Sequence, residues 1–175
     1  VIDETTYSSP CPNTFQTTNF GGGLLFGLTT NWKYQTHNLD GVNWQALGYD
    51  DASWPSGPAP MWADSRVFQD RGIPNLQTAS SGTRMPLDST TTFPFVTHYY
   101  RTRFLYTNTL SGVTLTFSNF VDDGAVFYLN GHEIYRTNMP PGQIFNSTLA
   151  NSSPCPNATC PMVLNLTGNA LSNLV

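Results

Sequence analysis

Residues 120–142 read FVDDGAVFYLNGHEIYRTNMPPG. Two runs rich in β-branched and aromatic residues flank the dipeptide Asn130-Gly131. This dipeptide predicts a two-residue type I′ hairpin turn, because both of its positions need a positive φ. A turn at these two residues fixes the register of the hairpin. The predicted facing pairs are Leu129 with His132, Phe127 with Ile134, and Ala125 with Arg136. One face of the predicted hairpin is apolar and the other amphipathic, which is typical of an antiparallel sheet over a core.

Turn clusters separate further short strands along the chain. The predicted strands are Leu24–Thr29, residues 95–106, Val113–Phe117, Ala125–Leu129 and His132–Arg136. Residues 35–62 and 63–92 are predicted to be long loops. No window of a dozen residues has a helical period. The pattern therefore predicts an all-β fold, an antiparallel β-sandwich of the jelly-roll type.

Three blocks of sequence carry a resemblance to a known family. They are Trp32-Lys33-Tyr34 followed by Trp44 and residues 49–60, then Thr97–Phe104, and then Asp122–Ala125 with Tyr128–Gly131 and Asn138-Met139-Pro140. In this order they resemble the galactose-binding-like jelly-roll modules of secreted proteins, and they are similar to the sugar-binding domain of family 2 glycoside hydrolases. The resemblance implies a galactose-binding-like β-sandwich at residues 24–175, preceded by an arm or edge segment at residues 1–23. The resemblance is specific for the fold and weak for the ligand, because this fold hosts many functions.

The resemblance also implies that a strand is missing. In the family, a stretch like residues 171–175 precedes one more buried strand, whose absence would leave an open apolar groove. One interpretation is that the chain is a fragment of a longer protein. The other is that a segment of a neighbouring subunit, such as its residues 1–20, fills the groove by strand addition and forms a homopolymer.

Composition indicates the compartment and excludes some partners. Charged residues make up 10% of the chain and aromatic residues 13%. This mixture is typical of an extracellular, turn-rich β-protein. The net charge of −4, with one lysine among the 7 basic residues, argues against nucleic acid as a partner. The sequence contains no run of 18 apolar residues, so no membrane-spanning helix is predicted.

Cysteines and sequons are consistent with secretion. Cys155 and Cys160 can close a small loop that leaves Cys11 free, or Cys11 can pair with either of them. Four Asn-x-Ser/Thr sequons predict an N-glycosylated face: Asn146, Asn151, Asn157 and Asn165.

Catalytic motifs do not appear in the sequence, and we expect no enzyme here. A glycosidase needs two carboxylates across a cleft. The acidic pairs are Asp50-Asp51 and Asp122-Asp123, and each begins or ends a turn. Aspartate at such positions normally caps backbone amides. The alternative role of these four residues is a structural Ca²⁺ site, and no other cofactor is predicted.

Aromatic side chains are the remaining indication of function, because Trp and Tyr rings stack on sugars. The candidate ligand-binding residues are Trp62, Tyr99, Arg101 and Tyr135. Three functions follow. The first is a non-catalytic carbohydrate-binding or adhesion module with glycans as partners. The second is a structural glycoprotein subunit of an extracellular filament or surface assembly, completed by strand donation between copies. The third is an accessory domain of a larger secreted hydrolase.

Overall fold

A computed structural model describes residues 25, 27, 29–63, 82–106, 112–152 and 162–174. This part of the chain forms nine strands and one 3₁₀ helix, Gly168–Asn173. The strands are β1 Asn31–Gln35, β2 Ser56–Pro58, β3 Met61–Trp62, β4 Thr83–Arg84, β5 Tyr99–Arg101, β6 Leu115–Asn119, β7 Ala125–Leu129, β8 His132–Thr137 and β9 Met162–Leu166. The prediction of an all-β fold is confirmed in its coarse form, because the described chain is rich in strands and contains multiple antiparallel sheets.

The first sheet has β1 at its centre, with β2 and β5 as antiparallel neighbours. Lys33 pairs with Arg101 and Tyr34 pairs with Tyr100. Because side chains alternate along a strand, these two pairs lie on opposite faces of the sheet. One face is therefore charged and the other aromatic. We call them the charged face and the aromatic face.

Strands β3 and β4 pair in parallel, and β4 lies against β2. The Thr83 hydroxyl donates to the carbonyl of Pro58 at 2.7 Å. A Cβ at Gly57 would lie 2.2 Å from Thr83 Oγ1, so this approach requires glycine. Gly57 is opposite Trp32 in the register, which places β4 over the aromatic face.

Four leucines form the buried core of the second half of the structure. They are Leu115 on β6, Leu129 on β7, Leu166 on β9 and Leu171 on the 3₁₀ helix. The β6–β9 and β7–β8 pairs thus share one core. Burying a leucine side chain stabilises a fold by roughly 1.5–3 kcal/mol. The Asn130 amide also donates to the carbonyl of Asn173 at 2.6 Å, which ties the hairpin turn to the 3₁₀ helix.

The β7–β8 hairpin confirms the predicted turn but not the whole predicted register. Asn130 has φ 49° and Gly131 has φ 89°, and Leu129 faces His132. The next pair, Tyr128 with Glu133, also follows the predicted register, but beyond it the prediction is wrong. The observed pairs there are Phe127 with Tyr135 and Ala125 with Thr137.

A β-bulge at Ile134 explains this difference in register. The extra residue lets Ile134 pack against the leucine core while the Tyr135 ring lies 6.3 Å from that of Phe127. It also brings Glu133 and Arg136 together, with Arg136 Nε 2.6 Å from Glu133 Oε1. Residues three apart in a regular strand would point to opposite faces.

Other boundaries differ from the predicted ones. Of Leu24–Thr29, residues 25, 27 and 29 are described and none is in a strand, so the first described strand begins at Asn31. Strand β9 has no counterpart among the predicted strands.

The arm at residues 1–23 lies outside the described residues, as do Cys11, Cys155, Cys160 and Asn157. None of the helices in the described residues has the length and apolarity that a membrane crossing requires.

Candidate functional site

On the charged face, three basic side chains converge on one buried carboxylate. Asp51 is 3% exposed. Its Oδ2 accepts from Arg101 Nε at 2.8 Å, and its Oδ1 accepts from Arg103 at 3.0 Å. The Lys33 ammonium lies 3.5 Å from Asp51 Oδ1 and donates to the backbone carbonyl of the same residue. We call this group the Asp51 cluster.

The cluster also binds the loop at residues 36–55 to β5. The Arg101 guanidinium donates to the carbonyls of Trp44 and Ala46, and Arg103 donates to that of Tyr49 at 3.4 Å. The Ala46 carbonyl also accepts from the Tyr49 backbone N–H at 3.1 Å, so Arg101 gives it a second hydrogen bond. The Asp51 cluster therefore gives an irregular loop a fixed position on the sheet.

Electrostatics keeps the Asp51 carboxylate ionised. Burial alone raises the pKa of an aspartate, but the hydrogen bonds and charges of Arg103 and Arg101 outweigh burial and lower the pKa of Asp51 to about 2. A carboxyl with this pKa holds no proton to donate at neutral pH. Its chemistry is that of an anchor for cations.

Aromatic contacts also hold the loop at residues 36–55 against β5 and the hairpin. The Trp44 ring meets Tyr99 edge-on at 5.1 Å and Tyr128 at 5.7 Å, which joins the loop to β5 and to the hairpin. Tyr99 is buried, and its hydroxyl accepts from the Asn146 amide at 3.3 Å. Arg101 lies 5.4 Å from the centroid of the Tyr49 ring. Tyr99 and Arg101, both predicted ligand residues, are thus engaged in holding the loop.

The aromatic face carries an open cleft of about 540 Å³. The described residues that line it are Tyr34, Pro55, Arg84, Met85, Pro86 and Leu87. Met85 is fully buried and its backbone N–H donates to the carbonyl of Trp62 at 2.7 Å, so this wall is anchored to β3. The Arg84 guanidinium lies over the Trp62 ring, 5.5 Å from its centroid. We call this feature the Tyr34 cleft.

The four predicted ligand residues occupy three different surroundings. Tyr99 and Arg101 lie on the charged face, on the other side of the first sheet from the Tyr34 cleft. Trp62 contacts Arg84 at the cleft wall. Tyr135 is partly exposed on β8 beside Phe127. Of the four, Trp62 is the one that contacts a residue lining the cleft.

Tyr34 and Arg84 were not predicted as ligand residues. The alternation in Trp32-Lys33-Tyr34 carried a signal for Tyr34, because it places this ring on the face opposite Lys33. Arg84 gave no such signal. It lies within a stretch predicted to be a loop, where no period indicates the direction of a side chain.

The two predicted acidic pairs make separate contacts in the structure. The Asp50 carboxylate accepts from the Ala52 backbone N–H at 2.9 Å, which is a turn-capping hydrogen bond. The Asp123 carbonyl accepts from the Asn138 amide at 3.0 Å, and Asp122 precedes it in the chain. Within the described ranges, no group of three or more His, Cys, Asp or Glu side chains is placed to hold a metal ion.

Three of the predicted sequons fall in the described residues. The Asn146 amide nitrogen, where a glycan would attach, donates to Tyr99. Asn151 is exposed, and its backbone N–H donates to the Asn138 carbonyl. Asn165 is exposed on β9, and its side-chain oxygen accepts from the Thr116 hydroxyl at 2.8 Å.

A half-buried aromatic group flanks β5 on the side of the aromatic face. The His98 ring stacks on Tyr100 at 6.2 Å, and Phe95 meets it edge-on. Among the described residues, His98 Nε2 has no hydrogen-bond partner. Burial lowers the pKa of His98 and raises the pKa of Tyr100, so both groups are neutral in the fold at neutral pH.

No family model, no curated protein and no solved structure matches this chain. The residues of the chain itself therefore carry the functional argument.

Proposed function

We propose that this chain is a non-catalytic carbohydrate-binding module of an extracellular protein, with the Tyr34 cleft as its ligand site. The observation that carries the proposal is the combination of an aromatic ring, Tyr34, and a guanidinium, Arg84, along one open cleft of about 540 Å³. The cleft is open, and its described lining is mostly apolar with one charged group, which is the composition typical of ligand sites.

The lining suits a sugar ring. The apolar C–H face of a pyranose packs on an aromatic face, and its hydroxyl groups need hydrogen-bond donors and acceptors at the rim. Tyr34, Pro86 and Leu87 offer apolar surface, and Arg84 places a guanidinium, a hydrogen-bond donor group, along the same cleft. An open cleft also accepts the interior of a polymer, which a closed cavity would exclude.

Binding without catalysis is supported by the state of the ion-paired carboxylates. Asp51 and Glu133 are each hydrogen-bonded to arginine, and these bonds lower the pKa of both carboxyls. A general acid of a glycosidase instead needs a raised pKa.

Retention on immobilised polysaccharides tests the proposal. The native chain is expected to be retained in gels that contain one or more of galactan, xylan, cellulose or polygalacturonate. Tyr34→Ala is expected to weaken that retention by about fivefold or more, because the stacking platform is lost. The matched control is Tyr135→Ala, which removes another surface tyrosine on β8 and leaves the cleft intact.

Both variants are first compared with the native chain by thermal unfolding, so that loss of fold is not read as loss of binding. Retention of the native chain by none of these polysaccharides would refute the proposal. An equal loss in both variants would refute the assignment of the site.

A second candidate function is a subunit of an extracellular assembly that is completed by strand donation. The observation that favours it is that the two sheets in the second half of the described fold have two strands each. In the described part of the chain, β6 pairs with β9 alone and β7 with β8 alone, so each pair keeps two edges that another strand can join. Negative-stain electron microscopy with light scattering tests it. Ordered polymers would favour the assembly, and a monodisperse monomer would exclude it.

A further inference from the structure

We infer that the Tyr34 cleft prefers neutral glycans whose hydroxyl groups carry acetyl esters over the same glycans with free hydroxyl groups. This inference rests on the proposed function and specifies its ligand class. Among the described residues that line the cleft, all but Arg84 are aromatic or apolar: Tyr34, Pro55, Met85, Pro86 and Leu87.

The described walls of the cleft offer few backbone N–H groups to a ligand. Pro55 and Pro86 have none, because proline carries no backbone N–H. The Tyr34 N–H donates to the Pro55 carbonyl at 2.9 Å. The Met85 N–H donates to the Trp62 carbonyl at 2.7 Å. Four of the six described lining residues therefore have no backbone N–H left for a sugar hydroxyl.

A free hydroxyl group and an acetyl ester meet such a wall differently. A hydroxyl group packed against it loses hydrogen bonds to water and gains few in return, which costs free energy. The methyl group of an acetyl ester needs no partner, and its burial against apolar side chains is favourable. Pro55 and Pro86 are exposed and Leu87 is half-buried, so these side chains keep apolar surface for that contact.

The expected preference is apolar in origin, because an acetyl ester carries no charge. Arg84 lies over the Trp62 ring, 5.5 Å from its centroid, and the preference does not require it to bind the ligand. Salt screens charges but not apolar contacts. The preference is therefore expected to persist as NaCl rises from about 0.05 M to about 0.5 M.

Acetylated xylo-oligosaccharides, and the same oligosaccharides after mild alkaline de-esterification, provide a matched pair of probes. They share one backbone and differ only in the acetyl groups. The native chain is expected to bind the acetylated form about fourfold more tightly, the effect of one buried methyl group. Gluco-manno-oligosaccharides in the same two forms repeat the comparison on another backbone. In isothermal titration calorimetry, the heat-capacity change of binding is expected to be more negative for the acetylated form, since more apolar surface is buried.

Leu87→Asn replaces an apolar residue of the wall by a polar one of similar size. It is expected to reduce the preference to less than about twofold by weakening the affinity for the acetylated form alone. The matched control is Leu149→Asn, the same change at a leucine that is 69% exposed and lies outside the described lining. Pro86→Ser changes an exposed residue of the lining and is expected to reduce the same preference if Leu87→Asn unfolds. Thermal unfolding of each variant shows which of them keep the fold.

The outcomes separate this inference from the function on which it rests. Equal binding of both forms by the native chain would overturn the preference for acetyl esters and leave carbohydrate binding in place. A preference that survives unchanged in both Leu87→Asn and Pro86→Ser would overturn the role of this wall. A preference that disappears at about 0.5 M NaCl would overturn its apolar origin. Binding to neither form, nor to any of the polysaccharides that test the proposed function, would overturn both proposals.

Discussion

Replacing Asp51 by asparagine removes the carboxylate on which Lys33, Arg101 and Arg103 converge, with little change in side-chain size. The asparagine oxygen can still accept one hydrogen bond, but it carries no charge. Arg101 then keeps a guanidinium in a mostly buried position, its side chain being 11% exposed, without a counter-charge. We expect the loop at residues 36–55 to lose its attachment to β5.

The expected loss of stability in Asp51→Asn follows from the burial of the ion pair and from the pKa of Asp51. Removing one partner of a buried ion pair destabilises a protein by about 3–5 kcal/mol. The lower end applies here, because the Arg103 side chain is 54% exposed and water can solvate it. Lowering the pKa of Asp51 from 3.8 to about 2 corresponds to about 2.4 kcal/mol in favour of the ionised form. The expected loss of unfolding free energy in Asp51→Asn is therefore about 3 kcal/mol.

Urea unfolding at neutral pH measures this loss directly. The control is Asp50→Asn, which changes the adjacent aspartate and keeps the oxygen that accepts from the Ala52 N–H. We expect the control to stay within about 0.5 kcal/mol of the native chain, as surface substitutions usually do. A loss in Asp51→Asn of less than about 1 kcal/mol, or an equal loss in the two variants, would refute the structural role of the Asp51 cluster.

Three further predictions concern acid, a half-buried histidine and a glycine. Asp51 stabilises the fold fully above pH 3.8, and this contribution is expected to be lost as the pH falls from 3.8 towards about 2, so Asp51→Asn should show a shallower acid slope in unfolding experiments than the native chain. Burial lowers the pKa of His98 below its usual 6.5, so stability is expected to fall as the pH drops below 6.5. That slope should be reduced in His98→Gln, and identical slopes would contradict the burial of a neutral imidazole. Gly124→Ala is expected to cost about 1–3 kcal/mol, because its Cβ would lie 2.7 Å from Met139 Sδ and 3.0 Å from the Asn138 carbonyl. Gly48→Ala has open space around it and should be nearly neutral, so equal unfolding midpoints in the two alanine variants would count against this packing.

Short-range sequence signals predicted the hairpin turn, because its geometry depends on adjacent residues. Asn130-Gly131 predicted its turn because few dipeptides accept two positive φ values, and both are observed. The bulge at Ile134 had no such signal. It depends on whether Ile134 reaches the leucine core, whose members lie on four other elements, and three of these elements are distant in sequence. Strand β9 was missed for a similar reason, because its pairing with β6 joins residues 115–119 to residues 162–166.

The candidate site was harder to predict than the fold. Residue type indicated Trp62, Tyr99, Arg101 and Tyr135, but a tyrosine in the core and one on the surface look the same in a sequence. The partners of Arg101 lie about 50 residues earlier in the chain, in a loop without a period. Tyr34 and Arg84 meet at one cleft because β4 crosses over the first sheet at Gly57. Such a crossing is a tertiary feature, and propensity alone does not indicate it.

An NMR titration of the isotopically labelled chain tests the carbohydrate site most directly. The ligand is a short oligosaccharide cut from the polysaccharide that retains the native chain best. We predict that the backbone amides of Tyr34, Arg84, Met85 and Leu87 shift together and saturate with one affinity, and that Tyr34→Ala removes these shifts. Shifts confined to Tyr99, Arg101 or Tyr135, with the cleft amides unchanged, would contradict the assignment.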